Sequence, residues 1–257
     1  MNDLPGLFNL TGLHAVVTGG NGMLGRAILD ALELHGATVR ALDLASSSGD
    51  RPFVACDLSE YDDIRQTVER VERDYGPIDI LVNNASSRGT DGRFFDSVEN
   101  YQRQTWDDVL AVNLDGAFWM SQSVGSRMAA RGSGCIINTT SIYASDMGVD
   151  HRIYTTGGGS RLNAPASYAA SKAGVVGLTR YLATYWGDVG VRVNAVAPGG
   201  IEMDQAASFQ AAYAARVPLG RMAAAGDVVG AYVFLASPAA SYITGQCLYV
   251  DGGLSAW

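Results

Sequence analysis

The run HAVVTGGNGMLG, residues 14–25, passes from a short apolar, β-branched segment through a glycine cluster into a helical pattern that continues to about His35. A strand that turns through glycines into a helix leaves backbone N–H groups at the helix's positive end. A pyrophosphate binds there if no side chain holds it away. In this reading Gly19 makes the tight turn, Gly22 or Gly20 allows close approach, and Gly25 lets the helix pack on the sheet, with Asn21, Met23 and Leu24 completing the loop. Such a turn asks for glycine even without a ligand, so the cluster needs support from the rest of the chain.

That support comes from the repetition of the same rhythm. Apolar runs recur at 38–43 (TVRALD), 53–57 (FVACD), 78–85 (IDILVNNA), 135–141 (CIINTTS), 191–199 (VRVNAVAPG) and 247–253 (CLYVDGG), with helix-period segments between them. Continuous apolar strands joined by amphipathic helices predict a seven-stranded parallel sheet covered on both faces, a doubly wound Rossmann-like α/β fold. No linker, charge block or repeat divides the 257 residues, which predicts a single domain spanning residues 1–257. Two segments break the rhythm, 142–165 and 200–224, and both follow the C-terminal end of a strand, where open α/β sheets bind ligands. The first is expected to be a long loop by the site, the second a substrate lid.

Asp43 ends the second strand, 24 residues after Gly19, where a carboxylate accepts hydrogen bonds from adenosine ribose hydroxyls. A 2′-phosphate would meet a like charge there, and neither Leu44 nor Ser46–Ser48 supplies an arginine. The expected cofactor is therefore NAD, with NADP disfavoured. Arg40 falls on the opposite face by strand alternation.

Composition narrows the partners. A net charge of −8 argues against nucleic acid or an anionic membrane surface. The N-terminus lacks a signal-peptide pattern, and no stretch reaches the roughly 18 uncharged apolar residues of a membrane span. A cytoplasmic protein with a small-molecule partner is expected. Cys56, Cys135 and Cys247 are far apart, and neither they nor His14, His35 and His151 have metal-ligand spacing, so buried thiols and no metal are expected.

Taken together, the chain resembles the short-chain dehydrogenase/reductase family over nearly its whole length. The matches run in order: TGGNGMLG, Asp57 and Leu58, NNA at 83–85, Asn113 in VNLDGAF, Ser141 in INTTS, Tyr168 and Lys172 in YAASK, APG at 197–199, then TGQ and DGG. The resemblance implies a hydride transfer between nicotinamide and a secondary alcohol or ketone. Tyr168 would be the acid/base, Lys172 would hold the nicotinamide ribose and acidify the phenol, Ser141 would bind the substrate oxygen, and Asn113 would anchor a water leading from Lys172.

Positions i and i+4 share a helix face. A phenol's pKa lies near 10, and a cation about 4 Å away contributes roughly 4 kcal/mol, about three pKa units before desolvation opposes it. By the same resemblance Asp57 and Leu58 would flank the adenine, Asn84 and Ala85 would pass under its ribose, and Pro198, Gly199 and Ile201 would border the nicotinamide. Homotetramers or dimers packed through helices at about 105–131 and 166–186 and through the last strand are also implied.

The chain departs from the family at Met23, Ser86 and Met203, where glycine, glycine and threonine are usual. It departs most in the 27 residues from Ser141 to Tyr168, which bring Asp146, Asp150, His151, Arg152, Tyr154 and Arg161 around Gly157–Gly159. With RYLATYW and the terminal tryptophan, this loop loosely resembles that of reductases of bacterial surface-sugar and flagellin-modification pathways. It suggests a polyhydroxylated substrate whose carboxylate or phosphate is met by Arg152 or Arg161. A non-catalytic dinucleotide sensor on the same fold is the alternative; a hydrolase lacks its G-x-S-x-G elbow.

Overall fold

The computed structural model describes residues 6–44, 51–144, 148–154 and 163–256. Its strands are β1 (His14–Thr18), β2 (Thr38–Asp43), β3 (Phe53–Ala55), β4 (Ile80–Asn83), β5 (Gly134–Thr139), β6 (Val191–Pro198) and β7 (Cys247–Val250). All pair in parallel, in the order β3-β2-β1-β4-β5-β6-β7. The seven predicted strands are present, with β3, β4 and β7 shorter than the apolar runs that announced them. The helices are α1 (Met23–Leu34), α2 (Tyr61–Tyr75), α3 (Arg103–Leu110), α4 (Ala117–Arg131), α5 (Ala166–Trp186), α6 (Ala207–Ala214) and α7 (Ala225–Ala236).

Every residue of β1 is buried, because alternate side chains feed two cores. Ala15 and Val17 pack with Ile28, Leu29 and Leu32 of α1 and Val228 and Tyr232 of α7. Val16 faces the other way, toward Ile64 and Val68 of α2, Val124 and Met128 of α4 and Trp186 of α5. A third cluster joins the two irregular segments: Ile142 and Ile153 meet Tyr213, Val217, Met222 and Leu254.

The helix expected over 105–131 is interrupted. A π-helical turn, Ala111–Gly116, separates α3 from α4 and carries Asn113. Such turns widen the backbone locally and often occur at functional sites. Arg40 stacks on Tyr75 at the end of α2, 4.2 Å from the ring centroid. None of the helices among the described residues is long and apolar enough to cross a membrane.

Candidate active site

β1 lies between β2 and β4, and the strand order reverses there, so the crevice above their C-terminal ends is the expected ligand position. A cleft of about 810 Å³ opens at that edge, lined by Gly19, Asn21, Gly22, Met23, Leu24, Gly25 and Asp43 at one end and by Ser141, Tyr168, Lys172, Pro198, Gly199 and Ile201 at the other. Asn84 and Ala85 line it between them.

The glycines divide their roles. Gly19 has φ +63°, and a Cβ there would lie 2.8 Å from Ala85 Cα. At Gly20 a Cβ would stand 2.6 Å from Ala41 Cβ, so Gly20 is the one that packs on the sheet. Gly25 instead lets α1 close onto the loop itself, since its Cβ would stand 2.1 Å from the Gly19 carbonyl oxygen. That leaves Gly22 as the position of close approach. No side chain caps α1. The Asn21 side chain is buried, and its Nδ2 and Oδ1 lack partners among the described residues. An uncapped helix end, a Cβ-free cradle and orphaned amide atoms fit a dinucleotide's pyrophosphate.

Asp43 accepts the backbone N–H of Asn21 at 2.8 Å and of Leu44 at 2.9 Å, which ties β2 to the loop. Asn84 donates from Nδ2 to the Thr18 carbonyl at 3.1 Å, and the Asn84 and Ala85 N–H groups both reach Thr18 Oγ1. Asp57 and Leu58 do not line the cleft. Asp57 accepts the Ser59 N–H and hydroxyl ahead of α2, and Leu58 is buried. Ser46–Ser48 lie outside the described residues.

Tyr168 and Lys172 share one face of α5. Lys172 is 2% exposed; its Nζ donates to the Thr139 carbonyl at 2.8 Å and sits 5.6 Å from the Tyr168 ring centroid. Thr140 Oγ1 donates to the Lys172 carbonyl at 2.7 Å, fixing α5 against the end of β5. Ser141 Oγ accepts the Tyr143 N–H at 3.2 Å, and its hydroxyl lies close enough to the Tyr168 phenol to lower its pKa. Asn113 lies beneath: its Oδ1 accepts the Ser87 N–H at 2.7 Å, and with Leu58 and Lys172 it lines a void of about 10 Å³.

The electrostatics differ from the simple ion-pair picture. Burial pushes the Tyr168 phenol above its ordinary value, opposed by the Ser141 hydrogen bond and the positive field of Arg88. Burial also brings Lys172 down to about 8. Burial is thus the first cause acting on both groups, and for Tyr168 it works against the expected acidification by Lys172.

Around Tyr168 the cleft walls are aromatic. Phe94 and Tyr143 meet its ring edge-on, with centroids 6.3 and 6.4 Å away. The Tyr143 and Tyr154 hydroxyls are hydrogen-bonded to each other, and Tyr213 accepts the Gly200 N–H. Ser86, Met203 and Phe209 complete this end, and so does Arg88, which sequence reasoning missed. Its signal was a cation just past NNA, at the ligand edge of β4.

Arg152, expected to read a substrate anion, sits elsewhere. It is 81% exposed, ion-paired with Asp150 at 2.8 Å, beside a separate depression that also holds Arg216. Asp150 binds Arg216 at 2.7 Å as well, and the guanidinium of Arg152, then that of Arg216, holds its carboxyl far below the usual range. His151 is exposed and off the cleft. Asp146, Gly157–Gly159 and Arg161 lie outside the described residues. Cys56 and Cys135 are buried, whereas Cys247, at the sheet edge, is only half-buried. Among the described residues no three His, Cys, Asp or Glu side chains cluster as metal ligands.

This architecture places the chain in the doubly wound, Rossmann-like class. Residues 24–255 match a family model described as enoyl-(acyl carrier protein) reductase. The chain belongs to the short-chain dehydrogenase/reductase family of oxidoreductases. It is 34% identical to the gluconate 5-dehydrogenase of Gluconobacter oxydans, over 98% of each chain. Among solved structures, a gluconate 5-dehydrogenase from Burkholderia cenocepacia in complex with NADP and tartrate superposes with a TM-score of 0.84, at 29% identity and 98% coverage of each chain. A short-chain dehydrogenase from Leptospira borgpetersenii with bound NAD+ also gives 0.84, at 32% identity over 96% of this chain and 94% of that one.

Proposed function

We propose that this protein transfers hydride between a nicotinamide dinucleotide and a secondary alcohol or ketone of sugar or polyol type. The convergence of Ser141, Tyr168 and Lys172 at one end of a dinucleotide-sized cleft carries this reading. The bound dinucleotide would supply the hydride donor or acceptor. Gly19–Gly25 would take its pyrophosphate, Asp43 its adenosine ribose, Lys172 its nicotinamide ribose, and Pro198, Gly199 and Ile201 would border the nicotinamide.

Tyr168 gives a proton to the carbonyl oxygen in reduction and removes one from the hydroxyl in oxidation. Ser141, beside the phenol, donates to the same oxygen as charge grows on it. The void beside Asn113 and Lys172 is about the size of one water, which supports a proton path below the phenol. A dinucleotide sensor would not need these three groups together.

Asp43 supports NAD over NADP, since a 2′-phosphate would meet its carboxylate; relatives of both kinds exist, so the preference rests on that residue. The buried third cluster supports 200–224 as a lid packed against the segment after β5. Exposed Tyr181 and Tyr185 on α5, stacked at 5.9 Å, and exposed Leu248 and Tyr249 on β7 support a homo-oligomer built on those faces. A panel of polyols, sugar acids and their keto forms, followed by NADH absorbance with wild type and Tyr168→Phe, tests the proposal. No Tyr168-dependent turnover across the panel would reject it.

A further inference from the structure

We propose that Arg88 is the specificity residue of this cleft, its guanidinium holding an oxyanion, carboxylate or phosphate, that the substrate carries. This rests on reading the cleft as a dehydrogenase site. Three charged side chains among the described residues line the cleft: Asp43, Arg88 and Lys172. Asp43 is spent on the loop at the adenosine end, and Lys172 on the Thr139 carbonyl. Arg88 makes no ion pair or hydrogen bond with the described residues, although the chain carries a net charge of −8 and Arg93, Arg103, Arg152, Arg216 and Arg221 all find carboxylates.

The backbone that presents Arg88 is held on both sides. Ser87 N–H donates to Asn113 Oδ1 at 2.7 Å, and Gly89 N–H donates to Ser87 Oγ at 3.0 Å, with Gly89 at φ +76°. Thr90 bonds Asp108 through its N–H at 3.1 Å and its hydroxyl at 2.6 Å. The π-helical turn therefore grips the loop that carries this cation. Ser87, next to Arg88, is tied to Asn113, whose Nδ2 reaches Ser171 Oγ beside Lys172 on α5 at 3.4 Å, so Arg88 stands at the reacting end, where its positive field acts on the Tyr168 phenol, and away from Asp43, where a cofactor 2′-phosphate would sit. Phe94, Tyr143, Tyr154 and Phe209 line the same cleft, which exposed Arg88 enters from its rim. A charge-assisted pair is stronger than a neutral one, and the guanidinium fork matches two oxygens of a carboxylate or phosphate.

The test is calorimetric titration of the full chain, at low salt, with D-gluconate, sorbitol 6-phosphate and sorbitol, on wild type, Arg88→Met and Arg88→Lys, with NADH titrated separately. Wild type is expected to bind one of the anions at least about tenfold more tightly than sorbitol, and which anion it prefers assigns carboxylate or phosphate. Arg88→Met should remove that preference, the loss falling on the anion and not on sorbitol or NADH, and Arg88→Lys should restore part of it. Absence of anion binding or of the preference in wild type, its persistence in Arg88→Met, or a loss falling on NADH overturns the assignment. Arg88-dependent anion binding without any NADH-linked turnover would instead reject the dehydrogenase reading and leave the assignment standing.

Discussion

The Lys172 ammonium lies 5.6 Å from the centroid of the Tyr168 ring and delivers its hydrogen bond to the Thr139 carbonyl at 2.8 Å. The strand end, the cation and the phenol are therefore one mechanical unit: β5 holds Lys172, and Lys172 shares α5 with Tyr168.

Replacing Tyr168 with Phe removes a proton donor and little surface. Turnover should fall by about 10²–10⁴-fold while NADH affinity stays within about twofold. Steady-state kinetics with fluorescence titration of NADH check this; retained turnover would assign the proton to another group.

Oxidation of an alcohol needs the phenolate, and burial favours the protonated phenol. Oxidation kcat/KM should therefore rise continuously from about pH 7 to about pH 10, while reduction should not require alkaline pH. A plateau in oxidation already reached near pH 7 would mean that the bound dinucleotide reverses the effect of burial.

Lys172 is charged in the unfolded chain below about 10.5 but only below about 8 in the folded one. Between these values the unfolded chain binds more protons, so this group makes stability rise with pH across that window. At neutral pH the cost is about 3 kcal/mol, offset by about 1 for the Thr139 hydrogen bond. Lys172→Met should thus raise Tm at pH 7 by about 4 °C or more and flatten the pH 8–10 rise, while losing activity. Calorimetric scans of both proteins decide it, an unchanged or lower Tm being the contrary result.

In the proposed reading Asp43 faces the adenosine ribose, where the two nicotinamide cofactors differ. Asp43→Ala should cut the ratio of kcat/KM for NAD over NADP by about tenfold or more. A wild type already faster with NADP would show that the carboxylate does not repel the 2′-phosphate.

Asp150 links the segment after β5 to Arg216 beyond α6. In Asp150→Asn, amide exchange at Ile153 and Tyr154 should accelerate several-fold, with KM rising more than kcat falls. Unaltered exchange would show that the apolar cluster alone holds the segment.

The fold was legible because period-2 and period-3.6 patterns survive in a parallel sheet whose strands are buried on both faces. The extent of α5 followed from the family resemblance, which implied a long helix at about 166–186. The π-turn at Asn113 escaped notice because nothing in VNLDGAF marks a change of helical pitch; it depends on contacts from elsewhere, such as Ser87 and the Leu58 carbonyl that crowds Gly116. The roles of Gly20 and Gly25 were misassigned for the same reason, since what a Cβ would strike lies on other segments. Arg152 was chosen for its charge and its place in a long loop, but Asp150, two residues away, claims it first. Arg88 was overlooked because a lone arginine in a polar stretch looks like solvated surface.

The central strand pair joins Ala15 to Ile80 and Val17 to Val82, and the Gly19 cradle is completed only by Ala85. A nascent chain thus emerges with β1 able to pair only with β2 until β4 has also been synthesised. High contact order of this kind makes closure of the sheet's middle a slow event. The glycine loop after β1, first in the sequence, is among the later parts of the molecule to acquire its shape.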